Sequence, residues 1–185
     1  MPEALAAWIH GGYAQTELGH GSNVQGIETT ATFDQKSDSF IVHTPHVRAY
    51  KFWPGDLGYF ATHVILMARL IVGENDLGPH AFIVKIRDCQ THKPLPGIDV
   101  GDIGLKFGFN QKDNGYLGFT NYKIPWENML MKYSSLSKEG KYQIEGDPQM
   151  LYVVLLEGRI SILKYSGYNL SKALTIAIWY AVVRT

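Results

Sequence analysis

Tyr13-Ala14-Gln15-Thr16-Glu17-Leu18-Gly19-His20-Gly21-Ser22-Asn23, followed at once by Val24-Gln25-Gly26-Ile27-Glu28-Thr29-Thr30-Ala31-Thr32-Phe33, is the stretch from which the rest of the chain can be read. A polar Gln-Thr-Glu triplet runs directly into Gly19, Gly21 and Gly26. Glycine leaves backbone N–H groups approachable where a side chain would block a ligand, so a flat polar ligand can lie there. On spacing alone, the same stretch is a glycine-rich loop joining a short helix to a β-hairpin. It follows neither the dinucleotide nor the phosphate-loop pattern: the glycine spacing differs from both, and no Lys-Ser/Thr pair follows.

Working outward, residues 1–12 read as a remnant with no structure of their own. Glu28 to Phe33 and Ser39 to Thr44 flank the turn-rich Asp34 to Asp38, which predicts a hairpin. Pro45 stops the second strand, and Lys51 to Gly58 reads as a loop. A β-branched run from His63 to Val72 and a second from His80 to Ile86 predict another hairpin, joined at Gly73 to Pro79 by a loop long enough for a bulge or a short excursion. Short strands follow around Ile98 to Val100, Gly115 to Phe119 and Asn121 to Ile124. Repeated short strands between turn signals favour an antiparallel β-sandwich or open barrel.

After Pro125 the character changes. Tyr133 to Gly146 is polar and turn-rich and reads as a linker. From Pro148 the apolar residues Leu151, Val154, Leu155, Ile162, Leu163, Leu170, Leu174, Ala177 and Ile178 recur on a helical period, predicting one helix or two. They are apolar nearly all round, as in a helix buried among others. The expected class is therefore α+β: a sandwich or open-barrel β domain over 13–132, a linker over 133–147, and the first helices of an all-α domain over 148–185. The apolar stripe runs on to Thr185 with no glycine cap or proline beyond it, so the chain reads as the middle of something longer.

Composition excludes several classes. Lys+Arg and Asp+Glu both number 17, so no charge excess marks nucleic acid or an anionic membrane as a partner. The longest apolar run, Thr175 to Val183, falls short of the about 20 residues that span a bilayer. Met1-Pro2-Glu3 has no basic run and Ala4 to Ile9 is a short apolar stretch, so this stretch is not expected to be a secretory signal. Cys89 is the only cysteine and reads as a small half-buried side chain in a protein without an internal disulfide. The seven histidines are scattered in sequence; only His43 and His46 lie close, with Pro45 between, so no metal site is expected.

The opening stretch resembles the signature of the peroxisomal acyl-CoA oxidases, flavoenzymes of the acyl-CoA dehydrogenase superfamily. The resemblance continues through Lys51-Phe52-Trp53-Pro54-Gly55, Pro94-Leu95-Pro96-Gly97, Val100-Gly101-Asp102-Ile103-Gly104 and Lys112-Asp113-Asn114-Gly115. Ile124-Pro125, Glu127 to Met131, Ser171-Lys172-Ala173 and Ala181 to Arg184 complete it. It implies FAD as cofactor, a fatty acyl-CoA as substrate, α,β-dehydrogenation to the trans-2-enoyl-CoA, and O2 as electron acceptor with hydrogen peroxide as product. A peroxisomal location and a homodimer in the full-length protein follow from it too. Carried onto this sequence, Gln15 and Thr16 address the polar edge of the flavin, Trp53 covers one face of it, and the backbone of Gly55 lies against the ring. Gly19, His20 and Gly21 line the approach of the acyl-CoA. No catalytic residue is assigned, because the family's α-proton base lies beyond Thr185.

The departures count as well. Phe52, Asp56 and Tyr59 stand where the family pattern has tryptophan, glycine and lysine; Leu105 replaces a proline, and Trp126 and Trp179 replace arginines. Asp56 puts a carboxylate where an anionic cofactor is expected, which is unfavourable unless it faces solvent or pairs. Such losses leave room for a short or degenerate non-catalytic paralogue acting as a binding or assembly module. An acyl-CoA dehydrogenase is a third reading, set back by the oxidase type of the first motif.

Overall fold

The computed structural model describes residues 9–147 and 150–184. They form two units, one made of residues up to 131 with 136–142, the other of 132–135 with 143 onward.

The first unit is organised on the longest apolar run. Strands are numbered in chain order: β1 Gly11–Ala14, β2 Thr30–Asp34, β3 Ser39–His43, β4 Lys51–Gly55, β5 His63–Val72, β6 Asn75–Lys85, β7 Ile98–Asp102, β8 Asn114–Phe119 and β9 Tyr122–Pro125. β5 is the centre of a six-stranded sheet. One of its edges pairs antiparallel with β6; the other carries β1 beside His63–Leu66 and then β2 beside Arg69–Ile71, both parallel to it. The sheet continues from β2 to β3 to β9. A second sheet, β4-β8-β7, is antiparallel throughout. β5 is bonded on both edges; Val64, Leu66, Ala68 and Leu70 turn into the core, while Ile65 on the opposite face is exposed.

One core draws on both sheets. Leu66, Leu70, Phe40, Val42, Phe82 and Ile124 come from the larger, Ile98, Leu117 and Phe119 from the smaller. Phe40 sits at its middle, its ring 5.5 Å from Phe33 and 5.1 Å edge-on from Phe82. Each large apolar side chain buried this fully contributes about 1.5–3 kcal/mol.

The α+β class and the two long hairpins follow the sequence reading, with differences that have physical causes. The joint between β5 and β6 is only Gly73-Glu74; Gly73 takes φ 61°, the left-handed start of a type II′ hairpin turn, so residues 75–79 are strand rather than loop. The irregularity lies within the β5–β6 ladder, where the register shifts between Arg69 and Ile71, and not in a loop. Lys51 to Gly55 is a strand, not a loop, because β8 bonds to it. Gly11 and Gly12 belong to β1, so a strand and not a helix precedes the glycine-rich stretch; residues 1–8 lie outside the described residues. The expected linker carries two short strands, β10 Ser134–Leu136 and β11 Tyr142–Ile144, paired in a two-stranded sheet. Cys89 is exposed rather than half-buried.

The second unit contains one unbroken helix, α1, Met150–Val183. Leu156, Ile160, Leu163, Leu174, Ile178 and Trp179 are all exposed along it. The hydroxyls of Ser166 and Thr175 bond back to the carbonyls four residues before them, at 2.8 Å each. Pro148, where the sequence reading starts this helix, is outside the described residues. No described helix is long and apolar enough to cross a membrane.

Candidate functional site

The Gln15-Thr16-Glu17 triplet is stitched to β4. The N–H of Phe52 donates to the Thr16 carbonyl at 3.0 Å, that of Leu18 to the Tyr50 carbonyl at 2.9 Å, and that of Gly19 to the Arg48 carbonyl at 2.8 Å. Beneath this ladder the Lys51 ammonium donates to Glu17 Oε1 at 2.9 Å and to the Gln15 carbonyl at 3.1 Å. Glu17 also accepts from the N–H of Glu28 at 2.7 Å and of Thr29 at 3.0 Å. Neither charged side chain is exposed. Burial alone would raise the Glu17 carboxyl, but the Lys51 ammonium and the two N–H groups outweigh it and hold the group below its ordinary value. Burial pushes the Lys51 ammonium down to about 8 against the pull of Glu17, so both groups are charged at neutral pH. An ion pair this buried is costly unless its remaining hydrogen-bonding capacity is met, and here the backbone meets it.

Trp53 to Phe60 is held by four consecutive residues of the facing chain. Lys112 Nζ lies 2.6 Å from Asp56 Oδ1. Asp113 Oδ2 accepts from the N–H groups of Tyr59 and Phe60, at 2.8 and 3.0 Å. Asn114 Nδ2 donates to the Trp53 carbonyl at 2.7 Å. Gly115 is glycine because a Cβ there would come within 2.6 Å of both the Gly101 carbonyl and the Gly58 nitrogen. From the other side, buried Arg87 donates to the carbonyls of Gly58 at 2.6 Å and Ala61 at 2.8 Å. Trp53 takes φ 84° within the strand, a region non-glycine residues enter at a cost of about 1–3 kcal/mol.

Each residue singled out in the sequence can now be placed. Gln15 and Thr16 are half-buried beside β4, and the Thr16 hydroxyl has no hydrogen-bond partner among the described residues. The Trp53 side chain is 51% exposed, an open indole on the same strand. Gly55, two residues on, is covered where a side chain would project, since a Cβ there would meet Lys112 Cε at 2.7 Å. Gly19 is pressed by Arg48, whose Cβ and Nε would both lie 3.1 Å from a Cβ on the glycine. Gly21 faces open space. His20 turns inward, its Nε2 3.5 Å from Glu28 Oε1 and its side chain 15% exposed. Beside the Tyr59-Phe60 segment runs an open groove of about 410 Å³, lined by both aromatics with Leu105, Lys106, Lys112 and Asp113.

The histidines converge more than their spacing suggests. His20 and His46 both approach Glu28, His46 Nε2 at 3.4 Å, and ligand atoms of Glu17, His20 and Glu28 lie within 4.8 Å of one another. Glu17 is already engaged by Lys51 and two N–H groups, and that ammonium opposes a cation. The trio therefore reads as a structural cluster. Glu17, Lys51, Asp113 and Asn114 carry the site's architecture and were missed as individuals in the sequence. Their signal was adjacency to the recognised triplet and to the Trp-Pro-Gly, Asp-Asn-Gly motifs.

An unpartnered threonine hydroxyl, an open indole and a bonded ladder between them suit a flat, polar-edged aromatic ligand. No family model matches the chain. Peroxisomal acyl-coenzyme A oxidase 1 of Rattus norvegicus is 49% identical over 176 residues, covering 95% of this chain and 27% of the rat protein. The crystal structure of a tomato acyl-CoA oxidase superposes with a TM-score of 0.83 at 50% identity, over 88% of this chain and 26% of that one. An acyl-CoA oxidase-2 of Caenorhabditis elegans, solved with FAD, ascaroside-CoA and ATP, superposes at 0.75 with 48% identity, over 77% of this chain and 22% of that one. The chain thus spans about a quarter of the length of the relatives it matches. Along nearly all of its own length it belongs to the acyl-CoA oxidase family.

Proposed function

We propose that this chain supplies the flavin- and acyl-CoA-binding β region, and the start of the helical region, of a peroxisomal acyl-CoA oxidase. The observation that carries the reading is the Phe52–Thr16 hydrogen bond, 3.0 Å long, which puts a free threonine hydroxyl one residue from the open Trp53 indole. The division into a β domain over 13–132, a linker over 133–147 and a helical domain from 148 is supported by the change from strands to one continuous helix.

When bound, FAD supplies the redox chemistry: dehydrogenation of a fatty acyl-CoA between its α and β carbons, with the electrons passed to O2 as hydrogen peroxide. The chain's own residues hold and polarise. The Thr16 hydroxyl would hold the polar edge of the ring as a fixed hydrogen-bond donor. Gln15 is held by its carbonyl on Lys51, so its backbone is fixed for the same edge. Trp53 excludes water from one ring face with a large flat apolar surface. Gly55 brings its main chain near the ring, while Gly19, His20 and Gly21 line the acyl-CoA approach. We assign no α-proton base to these residues. A homodimer completes the full-length protein in this reading.

Asp56 bears on the non-catalytic alternative. Its pairing with Lys112 neutralises the carboxylate that looked hostile to an anionic cofactor, which removes one reason for regarding the chain as degenerate. The test is peroxide release by the protein purified from its source and supplied with a long-chain acyl-CoA. Peroxide formed in step with trans-2-enoyl-CoA supports the oxidase. Enoyl product that needs an added electron carrier points to a dehydrogenase, and absence of both points to a binding module.

A further inference from the structure

β4 and β8 change register between Phe52 and Gly55. Phe52 faces Tyr116 and Gly55 faces Asn114, so Trp53 and Pro54 together oppose the single residue Gly115. This is a bulge, and it aims a side chain away from the regular alternation of the strand. Trp53 is a non-glycine residue at positive φ, and it directly precedes a proline, which further narrows its backbone choice. Nothing in its own chemistry favours that conformation.

The restraint comes from Asn114. Its side chain is buried, 5% exposed, and its Nδ2 donates to the Trp53 carbonyl at 2.7 Å. Its Oδ1 is buried with no hydrogen-bond partner among the described residues. Turning the amide over would set oxygen against the carbonyl oxygen, so the observed orientation is the one that bonds Trp53. An apolar residue of the same shape would avoid the unmet acceptor, and a half-satisfied buried amide is a poor choice for stability alone. Gly115 lets the main chain pass close enough to Gly58 and Gly101 for Asn114 to sit there.

We propose that Asn114 is a positioning residue: by clamping the Trp53 carbonyl it holds the bulge in the strained form that keeps the indole on the open, ligand-facing side of β4. The inference rests on the reading of Trp53 as the flavin-covering residue. It concerns how this chain sets the angle of that indole and requires no contact between Asn114 and the ligand.

The test uses the purified full-length flavoprotein and reads FAD affinity together with the shape of the flavin absorption bands. Asn114→Ala should weaken FAD binding about tenfold, the factor expected for one lost buried hydrogen bond, and blur the resolved band structure. In a Trp53→Gly background, where glycine accepts positive φ freely and no indole remains, Asn114→Ala should change neither quantity. Asn114→Asp keeps the side-chain shape while replacing the donor with oxygen, and should reproduce the alanine effect. Unchanged affinity and spectrum in both Asn114 variants, or an equal effect with and without the indole, overturns the proposal. Failure of the unaltered protein to bind FAD at all would instead overturn the flavin reading on which it rests.

Discussion

The N–H of Phe52 donates to the Thr16 carbonyl at 3.0 Å, joining the polar triplet of the first motif to the strand that carries Trp53. Thirty-odd residues of hairpin separate the two in sequence, and Lys51 with Glu17 locks the same junction from below.

Removing one partner of that lock should be severe. Lys51→Met leaves the Glu17 carboxylate buried without its counter-ion and should cost about 3–5 kcal/mol in urea unfolding. Lys51→Met combined with Glu17→Gln should recover much of this, because glutamine keeps an oxygen for the N–H groups of Glu28 and Thr29. A double variant no more stable than Lys51→Met would show that the carboxylate is not buried as described.

The same pair sets a pH dependence. The folded Glu17 carboxyl lies below its ordinary 4.5, so the unfolded chain binds more protons near that value. Its contribution is present above about pH 4.5 and is lost as pH falls through the folded value. Lys51, at about 8 when folded and 10.5 ordinarily, adds a rise in stability with pH between those values. Denaturant melts across both windows, compared with the Lys51→Met, Glu17→Gln double variant, should show both slopes flattened in the variant.

Two glycines of the motifs should separate cleanly. Gly115→Ala drives a Cβ to 2.6 Å from main-chain atoms that cannot step aside and should cost more than about 3 kcal/mol. Gly21→Ala meets nothing within 4 Å and should stay within about 0.5 kcal/mol in thermal unfolding. If Gly21 lines the acyl-CoA approach, the alanine variant should raise KM at nearly unchanged stability.

Lys112 and Asp56 are both nearly half exposed, so breaking the pair should alter stability by less than about 1 kcal/mol. Lys112→Ala nevertheless frees a carboxylate beside Gly55. FAD affinity should fall, and the loss should shrink as salt is added. A loss independent of salt would assign Lys112 a packing role over Gly55 instead.

Much of this was legible in the sequence where the signal is local. The β2–β3 hairpin was announced by alternation around Asp34 to Asp38, and α1 by the helical period from Leu151 onward. What escaped depended on partners far along the chain. β4 looked like a loop because Pro54 and Gly55 are turn residues, and only the pairing with β8 makes it a strand. Residues 75–79 looked like a loop for the same reason, since Gly78 and Pro79 sit in a strand whose register β5 imposes. Gln15, Thr16 and Trp53 stand out only through the family resemblance. The groups that hold them, Lys51, Asp113 and Asn114, act across dozens of residues, and no spacing rule marks them.

The central claim is that FAD sits against Thr16 and Trp53, and equilibrium FAD binding to the full-length protein with Thr16→Val and Trp53→Ala tests it most directly. The account predicts that each substitution weakens binding about tenfold or more, the size of one lost hydrogen bond or one lost stacking face, with the melting temperature of the FAD-free protein little changed. FAD bound equally tightly by all three proteins would contradict it.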